Sequence, residues 1–327
     1  GQVILTRGVL LKGTSRTILD TYYVYDDFGN LVTVLPPEAS AIFQSAGSSS
    51  WRSDTDETLA HYAFLYKYDS RNLQIAKKLP GCSWTFYVYD KGDRLIFSQD
   101  GNMRTRGEWF FSIPDALGRD CFAGICKNTF NVFSNPLRDI VVNADWQSSS
   151  SSAAAGSGPY KGYSLSGVSL VSPTVYLVNY YNNYSFLGKN GIPVESDSNV
   201  SYDTAAESDG FGQRYTASAQ GLLTGMLTAC LDNSGTPSYF YSVMYYDSYG
   251  RLVQSKSSNH LTDGKDTEYI AYNFVGQPIK RKHVHSATGK ATQTEIYSYT
   301  YDHAGRLLTH KVICDVFLIY TSFQLII

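Results

Sequence analysis

Tyr299-Thr300-Tyr301-Asp302-His303-Ala304-Gly305-Arg306-Leu307 is the stretch whose reading decides the fold, because the chain keeps restating it. Its core returns as Tyr246-Asp247-Ser248-Tyr249-Gly250-Arg251-Leu252, and looser copies stand at 23–31, 66–74, 87–95, 112–120 and 271–279. A repeat sets the architecture before any single residue does. In the copy Tyr23-Val24-Tyr25-Asp26-Asp27-Phe28-Gly29-Asn30-Leu31, the two tyrosines share one face of a strand. The Asp side chain can then bond the backbone two residues on and open a turn. The Gly three residues later suits the end of a type I turn or an adjoining left-handed bulge. Leu31-Val32-Thr33-Val34-Leu35 resumes the strand. Each copy therefore predicts one β-hairpin.

The variation between copies supports that reading. The Gly slot holds Gly29, Asn72, Asp93, Gly118, Gly250, Gly276 and Gly305, and its only substitutes, Asn and Asp, are the residues that best tolerate positive φ after Gly. The Asp slot holds Asp26, Asp69, Asp90, Asp115, Asp247, Asn273 and Asp302, at intervals of 43, 21, 25, 132, 26 and 29 residues. Intervals of 21 to 29 fit a hairpin plus its connection. The interval of 43 leaves room for a degenerate extra hairpin around 40–59, and that of 132 spans a stretch without clear copies.

The predicted fold is all-β: consecutive antiparallel hairpins joined into an extended, curved, shell-like sheet. A β-propeller is the alternative, but its blades need about 40–50 residues each. Boundaries fall at 1–145 (repeat segment), 146–159 (Ser/Ala/Gly-rich linker or loop), 160–312 (repeat segment, with weaker β patterning over 160–230) and 313–327 (an apolar tail read first as a last strand). A second low-complexity patch, 45–50, reads as a loop.

Composition bounds the function. The chain has 327 residues and a net charge of −2, so nothing favours nucleic acid or an anionic membrane as partner. Its 27 tyrosines and 16 phenylalanines against 3 methionines suit strands. Neither a signal peptide nor an apolar run of about 18 residues is visible, so no membrane span is expected. The start at Gly1 without Met leads to the expectation of an excerpt from a longer protein. Cys82, Cys121, Cys126, Cys230 and Cys314 are an odd, scattered set; they read as free or buried thiols, with Cys121 and Cys126 the one pair open to bridging.

At Tyr68-Asp69, Lys77-Lys78-Leu79-Pro80-Gly81, Tyr87-Val88-Tyr89-Asp90-Lys91, Asp115-Ala116-Leu117-Gly118-Arg119 and Gly221-Leu222-Leu223-Thr224-Gly225, with Tyr246-Asp247-Ser248-Tyr249-Gly250-Arg251 beyond, the chain resembles the Rhs/YD-repeat family, closest to the large Rhs-repeat proteins of Bacteroidetes. The likeness covers most of 20–312. Pro114 replaces the family's Tyr and Asn273 its Asp, which predicts irregular hairpins at those two copies. The resemblance implies a spiralling β-shell, a secreted or cell-surface parent protein, and a C-terminal toxin or effector passenger enclosed by the rest of the same polypeptide. It also implies glycan or cell-surface binding as an alternative role. The family's shell-closing core is not apparent, so no release activity is carried over to any residue.

Beside the repeats, the motifs of known chemistry are incomplete. Gly162–Gly167 is one residue out of register for a nucleophile elbow, Gly8–Thr14 lacks the phosphate-loop Lys, and Gly156–Gly162 has the wrong dinucleotide spacing. His283 and His285 would share a strand face as zinc ligands can, but without a third ligand they read as a solvated face. Asp54-Thr55-Asp56-Glu57 reads as a charged loop before a calcium site. Trp51, Trp84, Trp109 and Trp146 are open between packing and stacking on sugars. No carboxylate pair stands out for a glycoside-acting enzyme. The expectation is therefore a non-enzymatic structural chain with no catalytic residue, metal or cofactor assigned. The fourteen residues of the Asp and Gly slots act as turn formers.

Overall fold

The computed structural model describes residues 1–45, 57–147, 158–231 and 237–314. Trp51, most of the acidic run at 54–57, most of both low-complexity patches, and the tail from 315 onward lie outside the described residues. Strands β1 (Leu5–Lys12), β2 (Ser15–Tyr25) and β3 (Leu31–Leu35) are followed by helices α1 (Pro37–Ser45) and α2 (Glu57–Tyr62). Then come β4 (Phe64–Tyr68), β5 (Gln74–Lys78), β6 (Thr85–Tyr89), β7 (Leu95–Gln99), α3 (Gly101–Thr105), β8 (Trp109–Pro114) and β9 (Asp120–Cys126). The remainder holds β10 (Asn143–Trp146), β11 (Tyr163–Ser166), β12 (Thr174–Asn182), α4 (Ala205–Ser208), β13 (Ala219–Cys230), β14 (Ser238–Tyr246), β15 (Leu252–Ser258), β16 (Lys265–Tyr272), β17 (Pro278–Ser286), β18 (Gln293–Tyr301) and β19 (Leu307–Cys314).

Two compact units result. One comprises Gly1–Gly118, Gly124–Asn143 and Leu165–Pro173; the other comprises Arg119–Ala123, Ala144–Ser164 and Thr174–Ile327. In the first, β1 through β8 pair each with the next, all antiparallel. In the second, β12 through β19 do the same. The fold is thus all-β and built of consecutive hairpins. Each ladder runs past four strands without a break, which four-stranded propeller blades would not allow.

The repeat also fixes register. In each of six copies the pairing slips by one residue just before the Asp, at Val24/Tyr25, Lys67/Tyr68, Val88/Tyr89, Tyr245/Tyr246, Ala271/Tyr272 and Thr300/Tyr301. That slip is a β-bulge, which strengthens local twist and re-aims the residue beside it.

Three expectations change. The interval around 40–59 holds helices α1 and α2 where an extra hairpin was expected. Pro36-Pro37 supplies no N–H to continue the ladder of β3, and Pro at the first helical position followed by Glu38 and Ala39 starts a helix. The helices then bury Ala39 and Leu59, with Ala63 just after α2, against Leu35 and Leu65. Within 160–230, the part from 183 to 218 is turns and the short α4, rich in Gly188, Asn190, Gly191 and Pro193. The copy at Asn273 is a regular hairpin, described below.

The first unit's core sets Phe97 and Trp109 against Phe130, with ring centroids 4.6 and 5.3 Å apart. The second unit is cored by a run of aromatics. Tyr180 stacks on Phe186 at 4.6 Å, and Tyr184 on Tyr245 at 5.1 Å. Gly225 is required there, since a Cβ would meet the Phe186 ring at 2.2 Å.

Candidate functional site

The repeated turn is held by a fixed set of hydrogen bonds. At Asp26, the Gly29 N–H donates to the Asp26 carbonyl at 3.0 Å, closing a four-residue turn, and the Asp26 N–H donates to the Asn30 carbonyl at 2.9 Å. The Asp26 carboxylate accepts the N–H groups of Phe28 at 3.0 Å and Asn30 at 2.8 Å. The same carboxylate bonds recur at Asp69, Asp90, Asp247 and Asp302. Asp115 accepts the Leu117 N–H at 2.9 Å, and its carbonyl the Gly118 N–H at 3.0 Å, so Pro114 does not spoil the turn. Asn273 substitutes an amide oxygen for the carboxylate and still accepts the Gln277 N–H at 2.9 Å.

The Gly slot is left-handed throughout. Its φ is 85° at Gly29, 80° at Gly118, 73° at Gly250, 89° at Gly276 and 80° at Gly305, and Asn72 and Asp93 take 62° and 59°. At Asp26, Asp90 and Asp302 these hydrogen bonds favour the charged form. The Asn30 side chain, acting against burial, holds the Asp26 carboxyl below its ordinary value. The Arg306 N–H and guanidinium do the same at Asp302. Burial pushes Asp90 up, yet Arg94 and the Val142 N–H hold it low.

Two further side chains of the motif tie hairpins to their neighbours. The tyrosine before the Asp donates its hydroxyl backward to the first residue of the preceding return strand. Tyr68 reaches the Leu31 carbonyl at 3.0 Å, Tyr89 that of Gln74 at 3.0 Å, Tyr272 that of Leu252 at 2.9 Å and Tyr301 that of Pro278 at 2.9 Å. Burial raises the pKa of all four hydroxyls, so they stay protonated donors. The residue after the Gly reaches forward. Arg94 clasps Asp90 and donates to the Asp115 carbonyl at 3.0 Å, and Arg251 clasps Asp247 and donates to the Asn273 carbonyl at 3.3 Å. Gln277 bonds Asn273 and donates to the Gly305 carbonyl at 2.8 Å; Asn30 bonds Asp26 and donates to Asn72 at 3.1 Å. Where Leu73 occupies that slot, Arg71 from within the turn reaches the Asp90 carbonyl at 3.0 Å instead.

The residues singled out for chemistry are placed as follows. His283 and His285 do share a face of β17, but carboxylates flank them. His285 hydrogen-bonds Asp266, while His283 lies 3.5 Å from Asp266 and 3.9 Å from Glu295. Among the described residues, no group of three or more His, Cys, Asp or Glu is placed to hold a metal ion. Trp109 is buried; Trp84 lies under the Lys67 ammonium at 4.9 Å, and Trp146 packs edge-on against Tyr163 and Tyr180. Gly8 lies within β1, and Ser164 on β11. Cys121 and Cys126 are buried thiols, and burial pushes Cys126 up to about 11. No described helix is long and apolar enough to cross a membrane.

Two cavities in the second unit border the turns. One, of about 340 Å³, lies beside the turn at Asp247 and is lined by Arg214, Tyr215, Tyr249, Arg251 and Tyr272. The other, of about 740 Å³, lies between the turns at Asn273 and Asp302, with Gln277, Ile279, Tyr299 and His303 on its walls. Sequence reasoning did not find Arg214, which stands outside every copy.

No protein-family model and no curated protein matches the chain. Solved structures do. The crystal structure of TcdB2-TccC3-Cdc42 is similar over 95% of this chain and 14% of that one, at 12% identity and a TM-score of 0.43. TcdB2-TccC3 without its hypervariable C-terminal region gives the same values. The Photorhabdus luminescens Tc holotoxin pore is similar over 95% of this chain and 13% of that one, at 11% identity and a TM-score of 0.43. The chain thus spans about one-seventh of those chains.

Proposed function

We propose that this chain is a wall segment of a secreted or surface-exposed bacterial Rhs-repeat protein. It would form part of a scaffold that encloses or presents a C-terminal toxin or effector lying outside these residues. Its partners are then the remainder of its own polypeptide and that passenger, and its role is geometric, without catalysis. The observation that supports this is the use to which the motif is put. The Asp and Gly form the turn, the Tyr hydroxyl binds the copy before, and the Arg or Gln binds the copy after. In these copies the Tyr hydroxyl and the Arg or Gln side chain are spent on joining hairpin to hairpin, which is what a continuous wall needs.

The test is protease protection of the parent protein. A passenger encoded downstream should resist digestion while the repeat region is folded and become cleavable when denaturant opens it. Cleavage of the passenger at the rate of the free domain would refute the enclosing role.

A further inference from the structure

The cavity beside the turn at Asp247 has an arginine that the repeat does not use. Its outer wall is the segment from Gly210 to Tyr215, which is fastened to two strands. The Gly212 N–H donates to the Ile270 carbonyl at 3.0 Å, and the Tyr215 N–H to the Tyr246 carbonyl at 2.8 Å. The Arg214 N–H donates to the Tyr202 hydroxyl at 2.9 Å. The close approach needs glycine at 212, where a Cβ would meet Val253 at 2.4 Å. Arg214 is therefore held by backbone bonds on either side of it.

Its guanidinium lies 4.6 Å from the ring centres of both Tyr184 and Tyr245. Arg214 forms no ion pair among the described residues, and its Nε is shielded from solvent with no hydrogen-bond partner. Arg251, across the same cavity, is the contrast: its Nε binds Asp247 at 2.7 Å and its Nη1 the Asn273 carbonyl at 3.3 Å. The cavity lining carries Arg214, Arg251 and Asp247 as its charged side chains, leaving one positive charge in excess. Lys280, over the Phe211 ring at 4.4 Å, adds positive charge nearby. Glu195, whose field reaches Tyr184 and Tyr245, is exposed and forms no ion pair with Arg214.

The shielded Nε does not meet the cavity; the two Nη groups, which make no hydrogen bond among the described residues, are the open end of the guanidinium and present a planar fork that matches a carboxylate. The cavity's about 340 Å³ is at the small end for ligand sites, enough for a short acid or one side chain. The tyrosine-lined walls suit the methylenes that such a group carries. We propose that this cavity binds a carboxylate, received by Arg214 and presented either by a small free acid or by an Asp or Glu side chain of a polypeptide segment. The site is independent of whether the chain walls off a passenger.

The experiment is a titration of the folded chain, at low salt, with glutarate and separately with an N-acetylated, C-amidated Glu-Gly-Glu peptide. The readout is the backbone amide resonances of residues 214 and 215 in nitrogen-15 spectra, which remain when the side chain at 214 is changed. A saturable shift with either probe is expected, and tighter binding of the peptide identifies a polypeptide segment as the source. Arg214→Met should abolish saturation. Arg214→Lys, which keeps the cation over the two rings, should weaken it about tenfold, because an ammonium lacks the fork. Absence of a saturable shift with both probes at roughly 10 mM would overturn the proposal. So would equal binding by the Lys variant.

Discussion

Asp90→Asn tests the clasp where it is most deeply set. Asp90 is fully buried. One of its carboxylate oxygens accepts the N–H groups of Gly92 at 2.9 Å and Arg94 at 3.1 Å. The other accepts Arg94 Nε at 3.0 Å, Arg94 Nη2 at 2.6 Å and the Val142 N–H at 3.2 Å. An amide keeps the first oxygen but turns an NH₂ toward three donors, and leaves the Arg94 charge without its counter-ion. Breaking a buried pair from one side costs about 3–5 kcal/mol. Because Arg94 is 23% exposed, the low end, about 3 kcal/mol, is expected here.

The chain also supplies the rescue. Asn273 and Gln277 are the neutral version of the same pair, bonded at 2.8 Å. Asp90→Asn combined with Arg94→Gln should therefore cost less than the sum of the single changes, by about 1–2 kcal/mol. Urea unfolding gives the totals. Hydrogen exchange at the Val142 amide reads the local part, since that N–H loses its acceptor in Asp90→Asn. A single variant within about 0.5 kcal/mol of the parent would refute the reasoning. Strict additivity in the double variant would refute it equally.

Other outcomes follow from the same geometry. Gly250→Val should cost about 1–2 kcal/mol from left-handed strain, whereas Gly250→Asn should be near neutral, and thermal melts of the two variants compare them directly. The nearest contact a Cβ would make there is Leu222 at an ordinary 3.5 Å, so strain and not crowding sets the difference. Tyr272→Phe removes the bond to the Leu252 carbonyl and should cost about 0.5–1.5 kcal/mol; Tyr249→Phe, at a 77% exposed turn tip, should cost nothing measurable in the same urea titration. Asp26, Asp90 and Asp302 have folded-state pKa values below their ordinary ones. Their contribution is thus complete above the unfolded value near about 3.9 and is lost as pH falls through the lower folded values. Acid titration followed by circular dichroism should show that loss, and unchanged stability from about pH 5 to pH 2 would contradict it.

What the sequence determined by itself was the hairpin and its spacing. Tyr, Asp and Gly at fixed offsets are local chemistry: an Asp side chain caps the backbone two and four residues on, and the Gly slot must be left-handed. Asn72 and Asp93, at φ 62° and 59°, were legible for that reason. The helices at 37–45 and 57–62 were misread as an extra hairpin, because what covers Leu35 and Leu65 depends on packing. Tertiary structure alone decided where the tyrosine hydroxyls and the arginine forks end. Their acceptors are backbone carbonyls of neighbouring copies, and a carbonyl is the same in every residue, so it leaves no mark in the sequence. Arg71 reaching Asp90 from a different turn position than Arg94 or Arg251 shows the point, because two sequence patterns deliver one contact. Arg214 shows its converse. The backbone bonds of its segment and the rings of Tyr184 and Tyr245, brought together only in space, set its guanidinium beside the cavity.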